Sequence, residues 1–336
     1  MAEQSLLFGG QPPADALRHS PGPAHAAVPA EVRTLAEALR ERWGDRLHLG
    51  TSSWHFPGWA GLVYDRSAPA PTLSRHGLLA YARHPLLRTV SLDRSFYRPV
   101  PASGFAALAA QVPAGFRFVV KVPAAVTDAS LRDGENGRPL GLNPAFLDPA
   151  AACASALSPA AAGLGDALGV LVFQLSPLPA RWLQDPDALH ERLEALWTAV
   201  VAGLPAGSLA ALEVRDPELL TPRMAAQLKA HGVRYALGLH DRMPPIEEQL
   251  DMLRATWPGD FACRWNLQRG LGYAQAKGLW EPFDRLQAPD PATRRVLAKV
   301  IRATLDAGHR AFVTINNKAE GSAPLSVVEL ARALLA

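Results

Sequence analysis

The sequence predicts an α/β protein, a (β/α)8 TIM barrel behind a flexible N-terminal tail, and three observations carry that prediction. Eight apolar, β-branched runs recur along the chain, and helical patterns fill the gaps between them. The stretch from Leu47 to Ala336 also exceeds the roughly 250 residues that eight such repeats need. The competing architecture, an open doubly wound sheet, would carry a Gly-rich phosphate turn after its first strand. Gly50-Thr51-Ser52-Ser53-Trp54 stands there instead, and neither GxGxxG nor GxxxxGK occurs anywhere in the chain.

Taken in order, residues 1–30 are rich in Pro, Ala, Gly and Ser without a sustained apolar period, a composition that cannot offset its ordering entropy. A disordered tail is expected there. Val32, Leu35, Ala36 and Leu39 then repeat at helical spacing, with Trp43 and a stopping Gly44 behind them. Residues 31–46 therefore read as a lead-in helix that covers the bottom of the barrel.

The barrel domain, 47–336, opens on the run Leu47–Trp54 and continues with Thr89–Arg94, Phe116–Pro123 and Val170–Ser176. Leu209–Arg215, Arg234–His240, Phe261–Gln268 and Ala311–Asn317 complete the eight. Helical patterns lie at Leu73–Arg83, Gly104–Gln111, within Asn143–Ala162, and at Asp187–Ala202. They continue at Pro217–Ala230, Ile246–Thr256, Pro291–Ala307 and Pro324–Leu335. Pro217 after Asp216 and Pro291 after Asp290 are start signals, because proline tolerates the first helical position and aspartate caps it. Apolar strands alternating with helices mean a parallel sheet covered on both faces.

Composition narrows the function classes. Hydrophobic residues make up 49% and charged residues 19% of 336, with a net charge of +3, which fits a globular chain with a large core. So small a charge argues against a dedicated basic nucleic-acid protein, though not against a local basic cleft. Cys153 and Cys263 form no CxxC, zinc spacing or disulfide framework. Glu3 stands where a signal peptide needs basic residues, and no apolar stretch approaches the ~20 residues of a membrane span. No membrane partner and a cytoplasmic location are expected. No cofactor motif is legible.

Several strand ends carry a resemblance. Gly50–Trp54 (GTSSW), Ser95–Pro99 (SFYRP), Phe116–Pro123 (FRFVVKVP), Val170–Pro177 (VLVFQLSP), Ala211–Arg215 (ALEVR) and Ile315–Pro324 (INNKAEGSAP) follow one another in the order seen in a known group. The chain resembles the YecE-like family, a bacterial group also called domain of unknown function seventy-two. The resemblance implies a TIM barrel and no established activity. It also implies a glutamate and an asparagine where Ser91 and Asp93 stand, and histidines where Asp128, Asp216 and Asn266 stand. With those groups missing, no metal is carried across.

In a barrel of this type the working groups collect at the C-terminal ends of the strands, and side chains two apart share a face. That places Lys121, Glu213 and Arg215, Arg264 and Asn266, Gln174, His240, Asp93 and Trp54 around one cup, with Tyr97, Asn316 and Asn317 on its loops. Three cations against two carboxylates leave a positive surplus, which favours a small anionic or phosphate-bearing ligand held by arginines. Lys121 and Glu213 are the candidate catalytic pair, Lys121 as a Schiff-base or general-base amine and Glu213 as general base or the orienter of Lys121, in a hydrolase, lyase or isomerase. The same residues read equally as an ion-pair network bracing the barrel top. No Ser-His-Asp order or HExxH stands out.

Two alternatives stand beside this enzyme. Gln4, Leu7 and Phe8 match the QxxLF peptide that docks on the DNA sliding clamp, which would make the chain a DNA-associated protein. Alternatively, the barrel binds a ligand without catalysis, since a fold confers no function by itself.

Overall fold

The computed structural model describes residues 22–133 and 138–336. The proposed clamp-docking residues Gln4, Leu7 and Phe8 lie outside the described residues. Eight strands form a closed parallel barrel: β1 (Leu47–Thr51), β2 (Thr89–Leu92), β3 (Arg117–Lys121), β4 (Leu168–Gln174), β5 (Leu209–Glu213), β6 (Arg234–Leu239), β7 (Phe261–Trp265) and β8 (Ala311–Ile315). Each strand pairs with its neighbours in sequence, and β1 closes the ring on β8 with Leu47 opposite Ala311 and Thr51 opposite Ile315. The result is an α/β barrel of the TIM type, and every strand ends before its apolar run does because the chain turns away soon after the last ladder bond.

Alternation divides each strand. One set of side chains faces the surrounding helices and joins the main core; the other points inward, where Val119, Val170, Val172, Ala211, Ala262 and Phe312 belong to a separate apolar cluster. At the floor the His48 ring stacks on Phe312, with centroids 4.5 Å apart and planes 4° from parallel. Burial first, with the cations Arg88 and Arg117 adding to it, lowers His48 to about 3, so the ring is neutral and acts as filling. Above this plug the inward residues turn polar, and the change marks the cup.

The segment before the barrel differs from the tail expected through Ala30. Residues 22–29 lie along the barrel: Ala26 and Val28 are buried, Ala26 N donates to the Val63 carbonyl at 3.0 Å, and Ala24 N donates to Asp65 Oδ1 at 3.0 Å. Two small apolar residues and a bonded backbone are enough to fix a strap that shows no periodicity. The lead-in helix is Ala30–Trp43, and it joins the outer ring against β1 and the C-terminal helix Ala323–Leu335 rather than covering the bottom. Its stripe Val32, Ala36, Leu39 and Trp43 is buried there. Trp43 Nε1 donates to Asp306 Oδ1 at 2.7 Å, a charge-assisted bond linking the first helix to the end of Pro291–Asp306. Replacing Trp43 with Phe keeps most of the apolar area and removes that bond. The expected loss is about 1–2 kcal/mol, read as a lower urea midpoint at unchanged slope.

Two helical expectations change in detail. The run Leu73–Arg83 is two helices, Ala70–His76 and Leu78–Tyr81, broken at Gly77, where a Cβ would lie 2.6 Å from the Leu73 carbonyl oxygen. After Pro217 there is only a 3-10 turn, Pro217–Leu219. The α-helix begins at Pro222, behind a Thr221 side chain that accepts from Met224 N at 3.1 Å. A short antiparallel pair, Ser130–Arg132 with Pro139–Leu142, and a helix at Tyr273–Trp280 were not anticipated by the periodic pattern. No helix among the described residues is long and apolar enough to cross a membrane.

Candidate active site

The upper inward layer of the barrel is an ion network centred on Glu213, the last residue of β5 and fully buried. Arg264 of β7 donates through Nη1 to Glu213 Oε2 at 2.6 Å and through Nη2 to Asp93 Oδ1 at 2.6 Å. Arg215 reaches Glu213 Oε1 from Nη2 at 2.6 Å, and the same Nη2 donates to Gln174 Oε1 at 3.1 Å. Asn266 Nδ2 adds a bond to Glu213 Oε1 at 3.3 Å, and Ser91 Oγ donates to Asp93 Oδ1 at 2.6 Å. Strand alternation produces this convergence: Ser91 and Asp93, Glu213 and Arg215, and Arg264 and Asn266 are each two residues apart. Gly238 of β6 leaves the room, since a Cβ there would press on Glu213 Cγ at 3.2 Å.

Charges this deep require partners. Burial works to raise the Glu213 carboxyl, yet Arg215 and Arg264 outweigh it and hold the group below its usual value. Burial would lower Arg264, and Asp93 and Glu213 reverse the direction. Arg264 therefore spends both Nη atoms on protein carboxylates, and Arg215 spends one, which it shares with Gln174. Arg215 Nη1 and Arg264 Nε remain buried without a partner.

Lys121, the last residue of β3, differs from the arginines. It is buried, yet no carboxylate lies within ion-pair distance of Nζ among the described residues. Instead Nζ sits 3.4 Å from the centroid of the Phe96 ring. Burial brings the ammonium down to about 7, Arg264 adds to the effect, and Asp93 and Glu213 oppose it. Its platform is set by the turn after β2: Ser95 Oγ lies 2.5 Å from both the Leu92 and the Lys121 carbonyl oxygens, tying that turn to the end of β3.

The remaining sequence candidates divide. His240 stands at the end of β6 with Nδ1 against the Asp241 carboxylate, and burial together with Arg215 brings it down to about 4, so its ring is neutral at pH 7. Tyr97 is 65% exposed at the mouth and close enough to Asp93 and Arg264 to feel both. Asn316 bridges β8 to β1, its Nδ2 donating to Ser52 Oγ at 2.8 Å. Two candidates lie outside the cup. Trp54 is buried and donates to the Leu73 carbonyl at 3.1 Å, because β1 ends at Thr51 and the alternation that would have turned Trp54 inward ends with it. Asn317 Oδ1 accepts from Trp59 Nε1 at 3.2 Å and from Ala323 N at 2.8 Å, so it organises the turn into the C-terminal helix.

Four residues enter the site that were not singled out as candidates. Ser91 orients Asp93, and Phe96 carries Lys121. Lys318 Nζ lies 4.0 Å from the centroid of Tyr273, with burial, then Lys277, lowering its ammonium to about 8. Ser91 was open to sequence reasoning, two positions before Asp93 on one face; the Lys318–Tyr273 contact joins distant loops and left no local signal. Where the resemblance implies histidines, Asp128 caps Ser130 N at 3.0 Å and pairs with Arg132 at 2.6 Å, and Asp216 accepts from Leu178 N at 2.9 Å. Both carboxylates are occupied in shaping loops. Among the described residues no three His, Cys, Asp or Glu side chains are grouped so as to hold a metal ion.

The family model described as "Protein of unknown function DUF72" matches residues 48–336, the whole barrel. The chain belongs to the DUF72 family. Solved DUF72 proteins have the same fold. One from Enterococcus faecalis is 17% identical with a TM-score of 0.56 over 86% of this chain and 96% of that one. Another, from Thermotoga maritima, is 17% identical with a TM-score of 0.53 over 86% of this chain and 99% of its own. No curated protein matches the chain. Within the DUF72 barrel the cup therefore has to be read from its own side chains.

Proposed function

We propose that this DUF72 protein is an enzyme acting on a small anionic substrate, with Lys121 as the reacting amine. The observation that carries the reading is Lys121 itself: a buried lysine at the C-terminal end of a barrel strand, seated on a ring instead of a carboxylate. Structural lysines at such depth are paired, because an unpaired buried charge costs several kcal/mol. An amine brought down to about 7 is substantially neutral at physiological pH and can act as base or nucleophile. Glu213 is the positioning residue, fixing the arginines that hold the site's field.

Charge balance supports the anion. Asp93 and Glu213 cancel Arg215 and Arg264, leaving Lys121 and, nearer the mouth, Lys318 without carboxylate partners in the cup among the described residues. The partnerless Arg215 Nη1 supplies a further donor for an acceptor on the ligand. The anion is thus assigned to the lysines and this one guanidinium nitrogen rather than to open arginine forks.

The test uses a small anionic aldehyde, glyoxylate, with cyanoborohydride at pH 7, followed by peptide mass mapping. Amine attack on the carbonyl carbon expels its oxygen as water, and reduction of the imine fixes the adduct. Lys121 is expected to be modified well ahead of the exposed Lys229. Equal labelling of the two would remove the reading.

A further inference from the structure

Resting on the cup as an anion-accepting site, we infer that its mouth is a subsite for a flat heteroaromatic ring carrying a phosphate, with Tyr97 and Tyr273 stacking on the ring and Lys318 meeting the anion. Two large aromatics are left open to solvent on the rim, Tyr97 at 65% and Tyr273 at 56% exposure. They come from loops after β2 and β7, three strands apart around the ring. Both loops open at the C-terminal mouth of the same barrel, near enough for Asp93 to act on both hydroxyls and for Tyr97 to act on Tyr273.

Each ring is held from one side only. Tyr97 packs edge-to-face on Phe96 with centroids 5.2 Å apart, and Phe96 in turn carries Lys121. Tyr273 has the Lys318 ammonium over one face at 4.0 Å. The arrangement leaves open aromatic surface on both tyrosines, next to a cation that lacks a carboxylate partner within ion-pair distance among the described residues. Sequence-tolerant stacking of a flat ring is what two open aromatic faces at one mouth offer. The Tyr273 phenol, neutral at physiological pH like any tyrosine and pushed further up by burial, does not repel an anion.

The experiment is a calorimetric titration of the full chain at low salt with AMP, ribose 5-phosphate and inorganic phosphate. AMP is expected to bind about tenfold more tightly than ribose 5-phosphate, the margin of one stacked base. Tyr97→Leu and Tyr273→Leu should each remove most of that margin while leaving inorganic phosphate binding unchanged; Lys318→Met should weaken AMP and phosphate together. Equal affinity for AMP and ribose 5-phosphate, or no AMP binding at all, would overturn the ring subsite. The Lys121 reading is tested separately: glyoxylate labelling concentrated on Lys121 would stand even if the tyrosines proved idle, and even labelling would sink it whatever AMP does.

Discussion

Glu213→Gln is expected to destabilise the barrel by about 3–5 kcal/mol, the cost of stripping a buried ion network of its central charge. The substitution keeps the volume and most hydrogen-bonding capacity, so the loss isolates charge. Two guanidinium groups depend on this carboxylate, Arg264 through Nη1 and Arg215 through Nη2, each at 2.6 Å. Arg264 retains Asp93, whereas Arg215 keeps only the neutral Gln174. Arg215 should therefore account for most of the penalty. The double substitution Glu213→Gln with Arg215→Met ought to recover part of it, since the stranded charge leaves with its partner. Chemical denaturation of the four proteins in this cycle measures the coupling. A single-variant loss below about 1 kcal/mol, or no recovery in the double, would mean that water reaches the network and screens it.

The same cycle bears on the balance between bracing and chemistry. Ion pairs buried at the top of a barrel contribute little net stability relative to an apolar layer of the same volume. The inward layers below, with Val119, Val170, Val172 and Ala262, show that this chain can build such a layer. Setting Glu213 and Arg264 two residues above Ala211 and Ala262, with Asp93 and Arg215 paired to them, sacrifices stability for a charged floor. That choice has a reason if the floor sets the field around Lys121.

How far this was legible in the sequence follows from the kind of signal each element leaves. The closed barrel was legible because every strand is a continuous apolar run bounded by a helical pattern, and both periodicities are local. Convergence of Asp93, Lys121, Glu213, Arg215 and Arg264 was legible for the same reason, since each lies at or within two residues of a strand end, where the alternation of the strand still sets its side. Trp54 and Asn317 show where alternation ceases to inform: the chain leaves β1 at Thr51 and β8 at Ile315, and beyond those points direction depends on turns. The partners of the arginines were not legible. A surplus of cations suggests open forks, but only distances reveal that Glu213 and Asp93 take both Nη atoms of Arg264 and that Glu213 takes one of Arg215. Phe96 beneath Lys121 was hidden likewise, because a ring in a turn has no period.

Lys121→Met is expected to abolish selective glyoxylate labelling while leaving the protein as stable as the wild type or more so below pH 7. The sign follows from linkage. Lys121 is lowered in the folded barrel from the usual lysine value of 10.5 to about 7, so between those limits the unfolded chain binds a proton that the folded chain does not. The contribution of this residue to stability therefore rises with pH from about 7 toward 10.5. Below pH 7 both states carry the proton, and the full penalty for a buried ammonium is present. Methionine has nearly the same length, no charge and a polarizable sulfur suited to the Phe96 face, so it removes the penalty without opening a cavity. Urea unfolding at pH 6 and pH 9.5 should show the variant gaining on the wild type at the lower pH and losing that margin at the higher. A structural lysine held by Glu213 or Asp93 would give the reverse, with the variant less stable at pH 6. Such a reversal would assign Lys121 to the scaffold and leave the cup without its reacting group.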